Sequence, residues 1–214
     1  MKGVFITVEG PDGAGKTTVI KELSELIKKN SNQSLTVTRE PGGIPISEEI
    51  RQVILDPKNT EMDERTEALL YAAARRQHLI EKVLPAKEAG NLILCDRFID
   101  SSIAYQGAGR EIGEDEVLKI NEFAIEGNYP DLTIYLDVPS EVGIDRINKS
   151  RKGDELDRLD RESLAFHEKV RESYLRLVKA NPDRIVLIDA QDNIEKVVKN
   201  CYDLIKERYP LFFN

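Results

Sequence analysis

Gly10, Gly15, Lys16 and Thr17 fall in the spacing G-x-x-x-x-G-K-[ST] within EGPDGAGKTT. Each residue type has a task in holding a polyphosphate. Glycines let consecutive backbone N–H groups turn towards phosphate oxygens. Lys16 brings a cation to the β- and γ-phosphates, and the Thr17 hydroxyl suits Mg²⁺. Pro11, Asp12, Gly13 and Ala14 fill the loop, and Thr18 follows it. Asp12 is out of place, because its charge opposes the phosphates the loop would hold. A carboxylate there could accept loop N–H groups and stiffen the turn.

Other candidates lie where apolar runs end. Asp96, Asp137 and Asp189 each close one. A P-loop enzyme needs a carboxylate near its metal, and Asp96 has Arg97 beside it as a possible phosphate clamp. Asp137 precedes Val138-Pro139-Ser140, which reads as a cap for the next helix, and Asp189 reads as part of a loop near a nucleotide base. Tyr71 and Arg75 are four apart, so they share a helix face. A ring beside a guanidinium suits a planar base carrying carbonyl oxygens, although spacing alone fits a solvated Arg75–Arg76 pair equally well. Ser102 and Gln106 repeat that spacing around Tyr105, in what reads as a polar helix followed by a Gly-rich loop. Arg146, Lys149, Arg151, Lys152 and Arg158 crowd residues 145–160. That run is either a solvated charged face or a lid that closes over a nucleotide and brings in an arginine.

The elements that would position these residues alternate. Val4 to Val8, Leu35 to Thr38, Leu92 to Cys95, Leu132 to Leu136 and Ile185 to Ile188 read as strands. Helical periodicity follows the loop at Val19, Ile20, Leu23, Leu26 and Ile27, and recurs over 47–55, 63–89 (bent near Pro85), 114–126, 160–180 and 193–207. Alternation of this kind predicts an α/β fold, a parallel sheet covered on both faces, with ligands beyond the carboxyl ends of its strands.

Bulk properties narrow the field. The 214 residues fit one domain. A net charge of −8 argues against general nucleic-acid binding, which demands clustered positive charge. Cys95 and Cys201 show no metal spacing and suggest a reducing compartment, with Cys95 a core thiol. The N-terminus lacks a long apolar stretch, and no run approaches a membrane span. The expected location is the cytoplasm.

The chain as a whole resembles the thymidylate kinase family, in its bacterial form. The likeness rests on EGPDGAGKTT, REPGG, LLYAAARRQ, DRFIDSSIAYQG and YPDLTIYLD. It implies the nucleoside-monophosphate-kinase variant of the P-loop α/β sandwich, with a five-stranded parallel sheet and a lid at about 146–158. It implies phosphoryl transfer from ATP to dTMP with Mg²⁺, in a homodimer joined through helices. Residues Gly10 to Thr18 would hold ATP, with Gln191 near adenine. Arg97 and Arg51 would hold the dTMP phosphate. Asp96, with Thr17, would work near the metal, and Glu40 would organise its waters. Tyr71, standing where the family often has Phe, would stack on thymine. Arg75, Ser102 and Gln106 would meet the base edge, with Tyr105 against the deoxyribose. Asp12 would accept the 3′-hydroxyl of dTMP. Some members carry an arginine where this chain has Gly13, so the lid would supply the cation for the transition state, with Arg151 ahead of Arg146 and Arg158. Two alternatives stay open: a kinase for another monophosphate, or a P-loop switch without acceptor chemistry.

Overall fold

The computed structural model describes residues 2–150 and 162–213. Five strands form one parallel sheet: β1 Val4–Glu9, β2 Leu35–Arg39, β3 Leu92–Asp96, β4 Leu132–Asp137 and β5 Ile185–Asp189, in the order β2-β3-β1-β4-β5. All six residues of β1 are buried, as a central parallel strand covered on both faces must be. The register pairs Val8 with Asp96, Arg39 with Asp96, Glu9 with Tyr135 and Asp137 with Asp189. The polar ends of the strands therefore share one edge.

Alternation along β1 sends its side chains to two different layers. Val4, Ile6 and Val8 pack with Leu23 and Ile27 of α1 (Lys16–Asn30) and Cys201 and Ile205 of α9 (Ile194–Arg208). Phe5 faces the other side, against Phe98, Leu79 and Val83. Each large apolar side chain fully buried in this way contributes about 1.5–3 kcal/mol. Glu9 shares the parity of Phe5, and its carboxylate reaches α5 (Ile99–Ser102) and α8 (Leu164–Ala180).

Helix ends follow local chemistry. Asp63 caps α3 (Glu64–His78) by accepting from Thr66 N at 2.9 Å, and Ser163 caps α8 through Phe166 N at 3.3 Å. Pro45 opens α2 (Pro45–Leu55), where its missing N–H is harmless. The other α-helices among the described residues are α4 Leu84–Glu88, α6 Glu114–Ile125 and α7 Ser140–Ser150.

Three details depart from the sequence reading. The 63–89 helix accommodates Pro85 by a π-helical turn at Leu79–Val83, upstream of the proline rather than at it. The Gly-rich stretch after Tyr105 is not a loop: Ile103–Gly109 continues α5 as a π-helical segment. Arg146 lies within α7, not in a lid loop. Arg151, Lys152 and Arg158 lie outside the described residues, as does most of the expected lid. Cys95 and Cys201 are buried free thiols. Among the described residues no helix is long and apolar enough to cross a membrane.

Candidate active site

The P-loop follows β1 without a break. Gly13 adopts φ +77, and a Cβ there would lie 2.1 Å from the carbonyl oxygen of Gly143 on α7. The loop and that helix are thus in backbone contact, and no side chain fits between them. Lys16 turns back on the loop, donating to Gly10 O at 3.0 Å and Pro11 O at 2.9 Å. Burial, then the neighbouring Arg97, push its ammonium down to about 8, against the pull of Asp12, Asp96 and Glu9.

Beyond β3 the chain makes a strained turn. Arg97 has φ +68, a conformation costly for a residue with a Cβ. Two bonds fix it: Arg97 N to Val8 O at 3.0 Å, and Phe98 N to Glu9 Oε1 at 2.6 Å. The Arg97 guanidinium then spans both halves of the site. Nη1 donates to Gly10 O and Ser101 Oγ, each at 3.0 Å, and Nη2 to Asp12 Oδ1 at 2.6 Å and Tyr105 OH at 3.1 Å. Tyr105 OH donates to the other Asp12 oxygen at 2.7 Å. The hydrogen bonds described for the Asp12 carboxylate come from these side chains rather than from loop N–H groups, so turn stiffening does not account for it. Burial works to raise its pKa, but Arg97 and Lys16 together hold it well below the usual carboxylate range.

Glu9 was invisible as a site residue in the sequence, except that it is an acid at the end of a mostly apolar strand. It accepts from Phe98 N, from Ser101 Oγ at 2.6 Å and from Tyr174 OH at 2.9 Å. Burial, and next the charge of Asp100, push it up to about 7; Ser101, Arg97 and Tyr174 work the other way. Asp96 beside Arg97 keeps a buried Oδ1 without a hydrogen-bond partner among the described residues. An orphaned buried carboxylate oxygen is costly unless something else meets it.

The far end is built around Arg75, which is 2% exposed. Its Nε donates to Glu40 Oε2 at 2.8 Å, Nη1 to Ser102 Oγ at 3.0 Å and to Asn121 Oδ1, and Nη2 to Phe98 O at 2.9 Å. Four of five donors are thereby engaged, leaving one N–H of Nη2 for a ligand. Glu40 also meets His78 Nδ1 at 2.7 Å, so both its oxygens are committed to positioning other residues. Breaking a buried pair of this kind costs about 3–5 kcal/mol. Gln106 donates Nε2 to Glu67 Oε1 at 2.7 Å, and Arg51 Nη1 donates to Pro41 O at 2.9 Å.

One cavity of ≈ 710 Å³ joins the two ends. Asp12, Gly13, Gly15, Lys16, Thr17 and Thr18 line it at the loop. Asp96, Arg97, Glu40, Arg51, Tyr71, Arg75, Ser102, Tyr105 and Gln106 line the remainder. Gly10, Pro11 and Ala14 of the loop are buried and outside the lining, and Gln191 also lies outside it, exposed and bonded to Asp189. Arg146 lines the cavity but spends its guanidinium on Ala190 O at 3.2 Å and Gly13 O at 3.4 Å. Asp137 accepts from Tyr135 OH and pairs with Arg171, each at 2.8 Å. Ser101 lines the cavity as well but carried no spacing signal in the sequence, and Tyr174, His78 and Asn121 escaped the sequence reading because they act through other side chains.

Comparison with known proteins agrees with this geometry. The family model described as thymidylate kinase matches residues 8–201. The thymidylate kinase of Enterococcus faecalis is 62% identical over 98% of this chain and 99% of its own length. That of Lacticaseibacillus casei is 58% identical over 100% of both. The crystal structure of thymidylate kinase from Ehrlichia chaffeensis superposes with a TM-score of 0.75 at 30% identity, covering 96% of this chain and 99% of that one. Likeness on this scale, over the same residues that build the two-ended cavity, means that the chain belongs to the thymidylate kinase family.

Proposed function

We propose that this chain transfers the γ-phosphoryl group of ATP to dTMP, giving dTDP and ADP. The observation that carries the reading is Arg97. One guanidinium bonds the P-loop backbone at Gly10 and the acceptor-side residues Tyr105 and Ser101. A simple nucleotide switch has no use for such a bridge, nor for a second basic end at Arg51 and Arg75. The P-loop amides, Lys16 and Thr18 bind the ATP phosphates. Arg97 and Arg51 hold the acceptor phosphate between them. Asp12 has two lone-pair sites left after Arg97 and Tyr105, and a sugar 3′-hydroxyl donates to one of them. Tyr71 stacks on the base, and Arg75 donates its remaining N–H to a carbonyl oxygen.

Mg²⁺ fits the same site. Asp96 Oδ1 is buried and unmet, and Thr17 lines the cavity. No cluster of three His, Cys, Asp or Glu exists among the described residues, so most ligands would be phosphate and water, as Mg²⁺ prefers. When bound, the ion neutralises charge on the β- and γ-phosphates. The transferring phosphoryl also needs a cation from the protein. Gly13 leaves no room for a P-loop arginine, and three of the five Arg146 donors go to backbone carbonyls; the family likeness puts Arg151 first among Arg146, Arg151 and Arg158 for this role, and Arg151 and Arg158 lie outside the described residues. The exposed apolar residues Leu69 on α3 and Phe123 on α6, at 55% and 88%, support a homodimer through helix faces; Phe123→Glu should turn a dimer into monomer in sedimentation.

Coupled ADP release across a panel of monophosphates tests the activity. The expected order is dTMP, then dUMP weaker by one methyl contact, roughly 10- to 200-fold at most, with dCMP and AMP far behind. ADP release that ignores the acceptor, or equal use of dCMP and dTMP, would overturn the proposal.

A further inference from the structure

We infer that Glu67 sets the base specificity of the acceptor site by locking the side-chain amide of Gln106 in one orientation. The inference rests on the dTMP-kinase reading and adds a residue that touches no substrate. Glu67 lies on α3 and is 1% exposed; Gln106 lies on the π-helical segment and is also 1% exposed. Gln106 Nε2 meets Glu67 Oε1 at 2.7 Å. A carboxylate accepts and an amide nitrogen donates, so the chemistry itself decides which end of the amide faces Glu67. Arg110 approaches the same carboxylate at 3.4 Å, farther than Gln106 Nε2. Arg110 in turn is anchored to Glu162 at 2.6 Å and lies over the Phe166 ring.

With its nitrogen held back, Gln106 offers only its carbonyl oxygen to the cavity that it lines with Arg75 and Tyr71. That edge demands a donor from the base. Thymine and uracil carry one at N3. Cytosine carries an acceptor there, and would face an oxygen with nothing to share. A free glutamine amide could turn over and donate to cytosine; Glu67 forbids the turn. Arg75, which has only donors, adds the second half of the code by rejecting the cytosine amino group.

Glu67→Gln frees the lock, because its own amide can give oxygen to Arg110 and nitrogen to Gln106. The ratio of kcat/KM for dTMP over dCMP should fall by about 10- to 100-fold, the scale of one buried hydrogen bond to a charged group, with KM for ATP unchanged. In a Gln106→Met background the same substitution should leave the ratio within about twofold, because the coupling runs through Gln106. A merely structural role would lower both substrates alike. On the wild type, the 3-deaza analogue of dTMP, which has a C–H in place of N3–H, should lose roughly 10- to 100-fold in kcat/KM. That measurement checks which end of the Gln106 amide faces the base; if Glu67→Gln does not fold, Glu67→Asp, whose shorter carboxylate draws back from Gln106 Nε2, should lower the dTMP over dCMP ratio in its place, and an unchanged ratio there would equally overturn the inference. An unchanged ratio in folded Glu67→Gln, a change that persists in the Gln106→Met background, or full turnover of the 3-deaza analogue would overturn the inference. Wild-type turnover of dTMP, measured first, is where the underlying activity stands or falls independently.

Discussion

The two ends of the cavity are built from different materials. At the loop end the contacts are with backbone: Lys16 lies on Gly10 O and Pro11 O, Arg146 on Ala190 O and Gly13 O, and Gly13 abuts Gly143 O. At the acceptor end most contacts are between side chains, running from Glu9 through Ser101, Arg97 and Asp12 to Tyr105, and from Glu40 through Arg75 to Ser102 and Asn121. A phosphate chain is the same in every nucleoside triphosphate, so amides and one lysine suffice to hold it. An acceptor must be told from its relatives, and only side chains differ enough to do that. The loop end should therefore fail through sterics and the acceptor end through lost recognition.

The largest effect is expected at Gly13. Gly13→Ala places a Cβ at φ +77, 2.1 Å from Gly143 O. Overpacking and left-handed strain together cost about 2–5 kcal/mol, so ATP binding should weaken by roughly 10²–10³-fold while dTMP binding stays nearly intact. Calorimetric titration with each nucleotide separates the two. Normal ATP affinity in Gly13→Ala would show that the loop and α7 are not rigidly apposed, and the contrast between the ends would weaken.

Next comes Arg97, where the two materials meet. Lysine keeps the charge but not the planar fork that reaches Gly10 O, Ser101, Asp12 and Tyr105 together. Arg97→Lys should lower kcat/KM for dTMP by about 10²-fold, the scale of one transition-state donor, and leave KM for ATP within a few-fold. If Lys at 97 supports wild-type rates, charge alone serves and the bridging geometry is incidental.

The same contrast explains what was legible in the sequence. The P-loop could be read from spacing because a single strand, loop and helix supply all of it. The strand order of chemistry was equally plain, since apolar runs ending in Asp96, Asp137 and Asp189 do end β3, β4 and β5. The acceptor end draws on β1, β3, α3, α5 and α8, so no local pattern marks it, and Tyr71 with Arg75 gained meaning only through family likeness. Glu9, Glu67 and Tyr174 stayed hidden because their work is to hold other side chains. The Gly-rich run after Tyr105 misled because tertiary packing on α6 and α8 overrides the weak helical preference of glycine.

Asp12 sharpens the comparison, being a loop residue that serves the other end. Its carboxylate, held ionised by Arg97 and Lys16, should read the 3′-hydroxyl of dTMP. A hydrogen bond to a charged group is worth about 1.5–3 kcal/mol, or roughly 10- to 150-fold. The kcat/KM ratio between dTMP and its 3′-deoxy analogue should be of that order in the wild type and collapse towards unity in Asp12→Ala. A ratio that survives the substitution would return Asp12 to the loop end as a structural residue.

The smallest effect concerns protons. Lys16 in the free protein is pushed down to about 8, chiefly by burial and then by Arg97. Bound phosphates favour the ammonium, so nucleotide binding must raise that value again. Below about pH 7 the ammonium is already present in the free protein, and binding takes up no proton. Above pH 8 the free protein has lost it, and each binding event must draw one from solution. Linkage then requires ATP affinity to fall with rising pH, by about twofold at pH 8 and about tenfold at pH 9. Folding follows the same proton with its own sign. A base with a lowered folded value is more protonated when unfolded, so this group contributes stability that grows as pH rises from about 8 to its ordinary 10.5. Titrating ATP at pH 8.5 in buffers of different ionisation enthalpy counts the protons directly. The wild type should take up most of one, and Lys16→Arg, whose guanidinium does not titrate in this range, should take up none. Equal uptake in both proteins would assign the proton elsewhere, and the backbone carbonyls on which Lys16 lies would then hold a fully charged ammonium throughout.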